Sequence, residues 1–526
     1  MSFVNKDASK RLLAVHGWSG TVLGLFLYVV VLTGAIAVFR HEIGEWSAGG
    51  AKSHVALDQP LNARLAEIAN QIDPEYLKSA FVFSRDSGEI VTLFSTTERV
   101  DGELRQRGVR TVLDPVTLEE VQRDEGYFGD FAPDQKSALE RFIVRLHVSL
   151  HAPRPWGLWA TGILGFVMLS AAISGILLHK NMIRDLFVAP RWSSLLLNRR
   201  DRHILAGSWS LPFSFILAFT GTFFSFAGAI GLPIVAIVAF GGDQEKLIRE
   251  IQGVPATQDS TPAALTNIDT VVAQSTQIVG SKPTAISVRN WGRADALITL
   301  RHPAAQGSLN GSLHRFAGPS GDYLGLKPNI GTQPSAGNTA VGLIGPLHFG
   351  TFGGLLSKIV WFSLGLATCY ITLTGLQLWV QRRAGEAAWA WLPKTVTTVG
   401  YGTGVALASA GMGFFTALPF GRAVDATAFG FLAGAAVSIL LGAVVSTNER
   451  LEKVFAGLLA ILLPLLPATR MALAEDGWGT LLATGNAAVV SFDIVMMFAG
   501  AFIAYWAFWH KDAAADHAVV VGTPAE

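Results

Sequence analysis

Twelve histidines occur in this 526-residue chain, and seven of them fall where long apolar runs begin or end. His16, His179 and His203 stand at one end of these runs; His41, His147, His151 and His348 stand at the other. His54, His302, His314, His510 and His517 read as ordinary surface or tail positions. An ionisable ring beside a membrane-length apolar run is costly and usually functional, although an amphipathic ring is also content at an interface. Haem iron takes axial imidazoles, and a bis-histidine site draws one from each of two facing helices. His16 with His203 would hold an inner haem, and His147 with His348 an outer one. His151 follows His147 by one helical turn, so either could be the ligand. His41 would share the helical face of His16 and serve as an alternate outer ligand; His179 is the inner alternate. Gly17, Gly20, Gly207 and Gly350 leave room for a flat macrocycle. The rival chemistry is a zinc or copper centre, which needs three or four ligands and could use His147, His151 and His348 with Glu42.

The elements that must position these rings are membrane spans. Half of the residues are hydrophobic and only 15% are charged, well below the roughly 25% of soluble proteins. Eight apolar runs are long enough to cross a hydrocarbon core of about 30 Å: 12–39, 156–178, 207–240 with a break near Pro233, 352–380, 396–420, 426–446, 453–471 and 487–509. The first is too long for the core of a signal peptide and reads as a retained span. Basic residues collect on alternate connections: Lys6, Lys10 and Arg11; Lys180, Arg184, Arg191, Arg199, Arg200 and Arg202; Arg382 and Arg383; Arg450 and Lys453; and Lys511. The positive-inside rule puts them in the cytoplasm, with both termini, and leaves two long polar segments outside.

Those two segments, about 42–145 and 242–347, share one pattern. Helical spacing (Leu61, Leu65, Ile68, Ile72; Ala264, Ile268, Val271, Val272) precedes strand-like runs (Ala80–Ser84, Ile90–Phe94, Val109–Leu113; Ala285–Val288, Ala296–Leu300). Turns are expected at Asp114-Pro115 and around Gly318–Gly321, and each segment reads as a small α+β domain. The flanking spans repeat as well. His16 and His203 each precede a Thr-Gly pair by the same interval (Thr33-Gly34, Thr220-Gly221), while His147 and His348 precede Ser174-Gly175 and Thr374-Gly375. The first four spans are thus two copies of one unit, related by an axis along the membrane normal. The last four spans lack this pattern. Gly402, Gly404, Gly411, Gly413 and Gly434 suit close helix packing there, and Asp493 is the one acid deep in that part, able to relay protons, bind an ion, or simply be satisfied by a neighbouring helix.

A net charge of +1 gives no pull toward nucleic acid, and the single cysteine, Cys369, excludes an internal disulfide and a thiolate cluster. No dinucleotide or phosphate-binding glycine motif follows a strand, so electrons must come from quinol in the bilayer or from a cytoplasmic flavin or reductase. A transporter, with Pro233, Pro464 and Pro467 as candidate helix breaks, and a sensor or assembly protein without haem are the alternatives.

The motifs His16-Gly-Trp18-Ser-Gly20, Leu146-His147 before Gly157-Leu-Trp159, and Pro346-Leu-His348 before Gly353-Gly354 resemble the PepSY-associated transmembrane family over residues 8–385. Val112-Leu-Asp114-Pro115-Val-Thr117-Leu-Glu119 resembles part of a PepSY domain. The family includes inner-membrane ferrisiderophore reductases with histidine-ligated haem. The resemblance therefore implies two b-type haems on His16, His203, His147 and His348, and ferric iron in a siderophore as the periplasmic acceptor. The family often has Arg after the first three of its histidines; Gly17, Val148 and Ile204 stand there instead.

The expected fold is a mainly α polytopic membrane protein of about eight spans, with two small external α+β domains inserted in a tandem-repeated four-helix core. Its divisions are 1–41, 42–145, 146–180, 181–203, 204–241, 242–347, 348–383 and 384–526. The expected setting is the bacterial inner membrane.

Overall fold

The structure is a computed structural model. It describes residues 5–510 apart from 50–56, 58, 102, 180–181, 192–193, 253–257, 306, 330–333 and 474–476. His54, His517, Lys180 and Lys511 lie outside the described residues. Two compact units form. A helical unit takes Met1–Gly50, Asp134–Ala229 and Lys358–Glu526, and a sheet unit takes Ala51–Pro133 and Ile230–Ser357.

Along the chain, α1 (Lys6–Ala37) and α2 (Arg40–Ser47) come first. Next are α3 (Asn62–Asn70), β1 (Ser79–Ser84), β2 (Ile90–Val100), β3 (Glu103–Leu113) and β4 (Glu120–Tyr127). The chain returns through α4 (Ala138–Ser149), α5 (Trp156–Leu178), α6 (Met182–Asp185), α7 (Leu195–Trp209), α8 (Leu211–Phe226) and α9 (Leu232–Phe240). A second passage follows: α10 (Gln244–Gln252), α11 (Ile268–Val279), β5 (Ala285–Arg289), β6 (Leu297–His302), β7 (Ser312–Ala317), β8 (Tyr323–Leu326) and α12 (Ala336–Phe349). Six helices close the chain: α13 (Gly354–Arg382), α14 (Leu392–Ala417), α15 (Ala423–Val444), α16 (Asn448–Leu473), α17 (Trp478–Ala483) and α18 (Ala487–Ala504).

Among the described residues, seven helices are long and apolar enough to span a bilayer, and α7 with α8 makes an eighth candidate bent by 65°. The bend falls at Ser210, where Pro212 opens α8; Pro233 likewise opens α9. Proline in the first helical turn gives up an amide that has no intrahelical partner anyway, so it starts helices rather than interrupting them. The interruption expected near Pro233 is present as a π-helical turn, Ala227–Gly231, directly before α9, while the sharper bend lies earlier, at Ser210. Pro464 and Pro467 are not breaks: α16 runs through both, and the Pro464 ring fills the space that a side chain at Gly500 of α18 would need.

Four spans of the helical unit pack through small residues. A Cβ at Gly165 of α5 would lie 2.3 Å from Thr222 of α8, and one at Gly365 of α13 would lie 2.8 Å from the Ala35 Cβ of α1. Since α5 and α13 are equivalent in the repeat, as are α1 and α8, the two contacts are counterparts. Among the later helices, a Cβ at Gly413 would lie 2.2 Å from the Ala426 carbonyl and one at Gly430 would lie 2.4 Å from the Ser409 carbonyl. Helices that cannot use the hydrophobic effect against lipid gain their contact by close approach, which is why α14 and α15 carry so much glycine.

The eight strands form one antiparallel sheet in the order β4-β3-β2-β1-β5-β6-β7-β8. Each polar segment contributes a four-stranded meander, and the two join through β1 and β5, with Phe81 opposite Ser287. Helices α3 and α11 cover one face. Leu65, Ile68, Ile268 and Val271 pack there on Phe94, Ile286, Ile298 and Phe316. Each of these buried side chains contributes about 1.5–3 kcal/mol. The helix starts cap one another: the Asp269 carboxylate accepts the amides of Leu61 (2.8 Å) and Asn62 (3.2 Å), and the Asn62 side chain accepts the amide of Ile268 (3.0 Å). One carboxylate so serves two positive helix ends. The outer edges are protected by charge in β4 and by brevity in β8.

Candidate functional site

The inner histidines come together. His16 lies on α1 and His203 on α7, and their ring centroids are 6.2 Å apart with the planes at 85°. Two imidazoles on opposite sides of one iron need a centroid separation of about 6.2 Å, from about 2.0 Å per metal–nitrogen bond and about 1.1 Å from each nitrogen to its ring centre. The observed spacing matches that requirement.

The tautomers follow from the partners. His203 Nδ1 lies 3.0 Å from the Ile371 carbonyl of α13, which can only accept, so Nδ1 carries the proton. His16 Nδ1 lies 3.0 Å from Ser174 Oγ of α5. That hydroxyl already donates to the Ser170 carbonyl at 2.7 Å, so it accepts from His16. In a neutral ring Nε2 is then the nitrogen that keeps a lone pair for a metal. A ligand histidine fixed through its other nitrogen is the usual arrangement at metal sites.

The helix surface beside both rings is also open. Gly20 and Gly207 stand one turn beyond His16 and His203, and a Cβ at either would meet nothing within 4 Å. Gly17 differs from expectation: the ring of Trp379 occupies the position its side chain would take, at 2.7 Å, so this glycine seats a tryptophan instead of opening the site. Trp18, Trp379 and Trp389 cluster there, with the Arg383 guanidinium 3.4 Å over the Trp379 ring. The donor set, the spacing and the room fit a bis-histidine haem.

His147 occupies the last turn of α4. Its Nδ1 donates to the Val30 carbonyl of α1 at 2.8 Å, and a Cβ at Gly34 would lie 2.6 Å from its Cε1. His151 does not share a helical face with it. α4 ends at Ser149, and Leu150 and His151 take left-handed backbone angles. The His151 ring folds back on Phe142, with centroids 4.3 Å apart, and its Nε2 donates to the Phe142 carbonyl at 3.0 Å. His348 sits in the last turn of α12, edge-on to Phe349. It belongs to the sheet unit and His147 to the helical unit, so the outer pair rests on the repeat and not on a separation.

The remaining alternates are placed elsewhere. α1 ends at Ala37 and His41 lies on α2, so the single helical face proposed for His16 and His41 does not exist. The Arg40 guanidinium lies 3.2 Å from His41 Nε2. His179 is the C-cap residue of α5. Glu42, the carboxylate of the rival metal centre, pairs with Lys358. Among the described residues no three His, Cys, Asp or Glu side chains are grouped to hold a metal ion.

Two other polar clusters are built differently. Asp493 is fully buried and accepts from the indoles of Trp46 (2.8 Å) and Trp478 (2.9 Å) and from both Nε and an Nη of Arg470. Its lone pairs are occupied, so it is satisfied by its neighbours and ties α16 and α18 to α2. His302 and His314 are not surface residues: they are 1% and 6% exposed, face each other at 5.3 Å inside the sheet unit, and all four ring nitrogens have hydroxyl partners in Ser275, Ser281, Tyr323 and Ser312. Burial lowers both pKa values, which favours the neutral rings.

The family described as the PepSY-associated TM region matches residues 13–382, which hold every candidate histidine and leave α14 to α18 outside. An uncharacterized protein of Pseudomonas aeruginosa is 27% identical over 253 residues, covering 46% of this chain and 63% of the relative, so the chain spans less than two thirds of that protein's length. The match over most of its length means that the chain belongs to the PepSY-associated transmembrane family.

Proposed function

We propose that this chain is a b-haem oxidoreductase of the bacterial inner membrane. It takes electrons from quinol or a cytoplasmic flavin donor and delivers them to a periplasmic acceptor, with ferric iron in a siderophore as the acceptor class. The observation that carries the reading is the inner pair: two imidazoles at the separation of a bis-histidine iron site, each with Nδ1 engaged. Haem held there supplies a one-electron couple. His16 and His203 hold the inner group; Ser174 and the Ile371 carbonyl orient them; Gly20 and Gly207 leave it room. His147 and His348 are the outer ligands by the repeat. His147 is favoured over His151 because the His151 Nε2 is spent on its own helix. The basic connections would face the cytoplasm.

A transporter is the second reading. The 65° bend between α7 and α8 favours it, since broken spans line transport sites, but Asp493 is saturated and offers no coupling carboxylate.

The test is an optical spectrum of the detergent-purified full chain, oxidised and dithionite-reduced, with haem quantified as the pyridine complex. A reduced b-type α-band with about two haems per chain is expected. A colourless protein, even after expression with haem supplied, would overturn the haem reading.

A further inference from the structure

Three of the four ligand histidines meet the same short pattern on a neighbouring helix. His147 donates to the carbonyl of Val30; Thr33 lies three residues on and Gly34 four. His203 donates to the carbonyl of Ile371 and lies 3.2 Å from the hydroxyl of Thr374; Gly375 follows. His16 meets the hydroxyl of Ser174 and also interacts with the carbonyl of Ala171; Gly175 follows. In each case the carbonyl is residue i, the hydroxyl i+3 and the glycine i+4.

The spacing has a physical cause. In an α-helix the carbonyl of residue i bonds to the amide of i+4, and a Cβ at i+4 would stand beside that oxygen and shield its second lone pair. Glycine at i+4 uncovers it at Gly34 and Gly375, whereas a Cβ at Gly175 would meet nothing within 4 Å. A Cβ at Gly34 would lie 2.6 Å from the His147 ring, and one at Gly375 would lie 3.2 Å from the His203 ring. The hydroxyl at i+3 folds onto its own helix. Thr33 donates to Val29 and Val30, Thr374 to Tyr370 and Ile371, and Ser174 to Ser170 and Ala171. Its oxygen is thereby left as an acceptor only. α8 carries the same triad in Leu217, Thr220 and Gly221, and the Thr220 hydroxyl donates to Ile216 and Leu217.

We infer that these carbonyl–hydroxyl–glycine steps are histidine seats, and that Ser174, Thr374, Gly34 and Gly375 are positioning residues for the haem ligands. A seat accepts the Nδ1 proton, which fixes the tautomer, turns Nε2 toward the iron and makes the imidazole a stronger donor. The two inner ligands sit on unlike seats. His16 leans on a hydroxyl and His203 on a carbonyl, so the two should respond differently to loss of the hydroxyl. The inference rests on the haem reading above.

The test uses the full chain in detergent and reads haem stoichiometry, midpoint potential and the low-spin electron paramagnetic resonance signal. Gly34→Ala and Gly375→Ala should each lose one low-spin haem, while Gly24→Ala on the same helix as Gly34, where a Cβ would make ordinary contacts at 3.6 Å, should lose none. Ser174→Ala should weaken retention of the inner haem about 10–100-fold and raise its midpoint potential; Ser174→Thr, which restores the residue found in the other three seats, should return both to wild type. Should the glycine variants fail to fold, the serine pair decides. Variants that keep wild-type haem content and potential overturn the inference alone. A wild-type protein without haem overturns it together with the reading it rests on.

Discussion

Each unit of this protein contains a pair of facing histidines, and the two pairs are not alike. In the helical unit His16 and His203 stand 6.2 Å apart, and each has one nitrogen engaged and, when neutral, a lone pair kept on the other. In the sheet unit His302 and His314 stand 5.3 Å apart, and all four nitrogens have hydroxyl partners. Both pairs are edge to face and both are sheltered. What separates the pair proposed as ligands from the structural pair is therefore neither burial nor proximity but the count of unspent lone pairs. Asp493 makes the same point for a carboxylate, since four donors leave it nothing to offer.

The largest effect that would break this contrast is on cofactor content. His203→Ala should remove about one of two haems per chain, whereas His302→Ala and His314→Ala should remove none; equal losses from both pairs, read by the pyridine complex, would erase the distinction. Next in size is the buried carboxylate. Asp493→Ala strands the Arg470 guanidinium, itself 1% exposed, and should cost about 3–5 kcal/mol, visible as a lower melting temperature in detergent with haem stoichiometry unchanged. Ser275→Ala leaves His302 Nε2 without its 2.6 Å partner and should cost about 1–3 kcal/mol, detected as faster amide exchange in β5 to β7.

The smallest effect is that of pH. Burial holds the His302 and His314 pKa values below the ordinary histidine value, and the neighbouring imidazole adds to this at His302. The folded sheet unit then binds protons more weakly than the unfolded chain. Stability is unaffected above the unfolded pKa of about 6.5 and falls as pH drops below it, until the folded groups titrate. Exchange rates in β6 and β7, corrected for intrinsic chemistry, should rise between pH 7.5 and 5.5 in the wild type and rise less in His314→Gln. Equal slopes would show that the pair does not carry the acid sensitivity.

Much of this was legible in the residues. Apolar length gave α5 as 156–178, the interval observed, and the repeat of histidine and hydroxyl–glycine pairs pointed to the inner pair. That repeat also held the seats, because His16 and Ser174-Gly175 stand at matching ends of antiparallel spans; the histidines were read against one another rather than against the glycines. The misreading of His302 and His314 had a signal available. Ile298, Leu300 and His302 alternate on β6, and His314 and Phe316 on β7, so both rings fall on the core face by the period of two. Strand β4 has no apolar alternation to mark it, because Glu120–Tyr127 sets Val121 among mostly polar residues, as suits an edge strand. The continuity assumed from His16 to His41 failed because periodicity carries no information about where a helix stops unless a cap marks it. Phe39, the residue before α2, caps nothing with its side chain.

The seam between β1 and β5 bears on how the protein is made. Ser79–Ser84 carries no charge and no proline, and its free edge must wait for Ala285–Arg289, roughly 200 residues later in the chain. At about 5–20 residues per second of synthesis, that edge is open for about 10–40 s, long enough to pair with another nascent chain. Biogenesis of this protein thus has a vulnerable interval set by its own repeat. A holding chaperone on the side where the sheet emerges, or a pause-free passage through α5 to α9, would shorten the exposure.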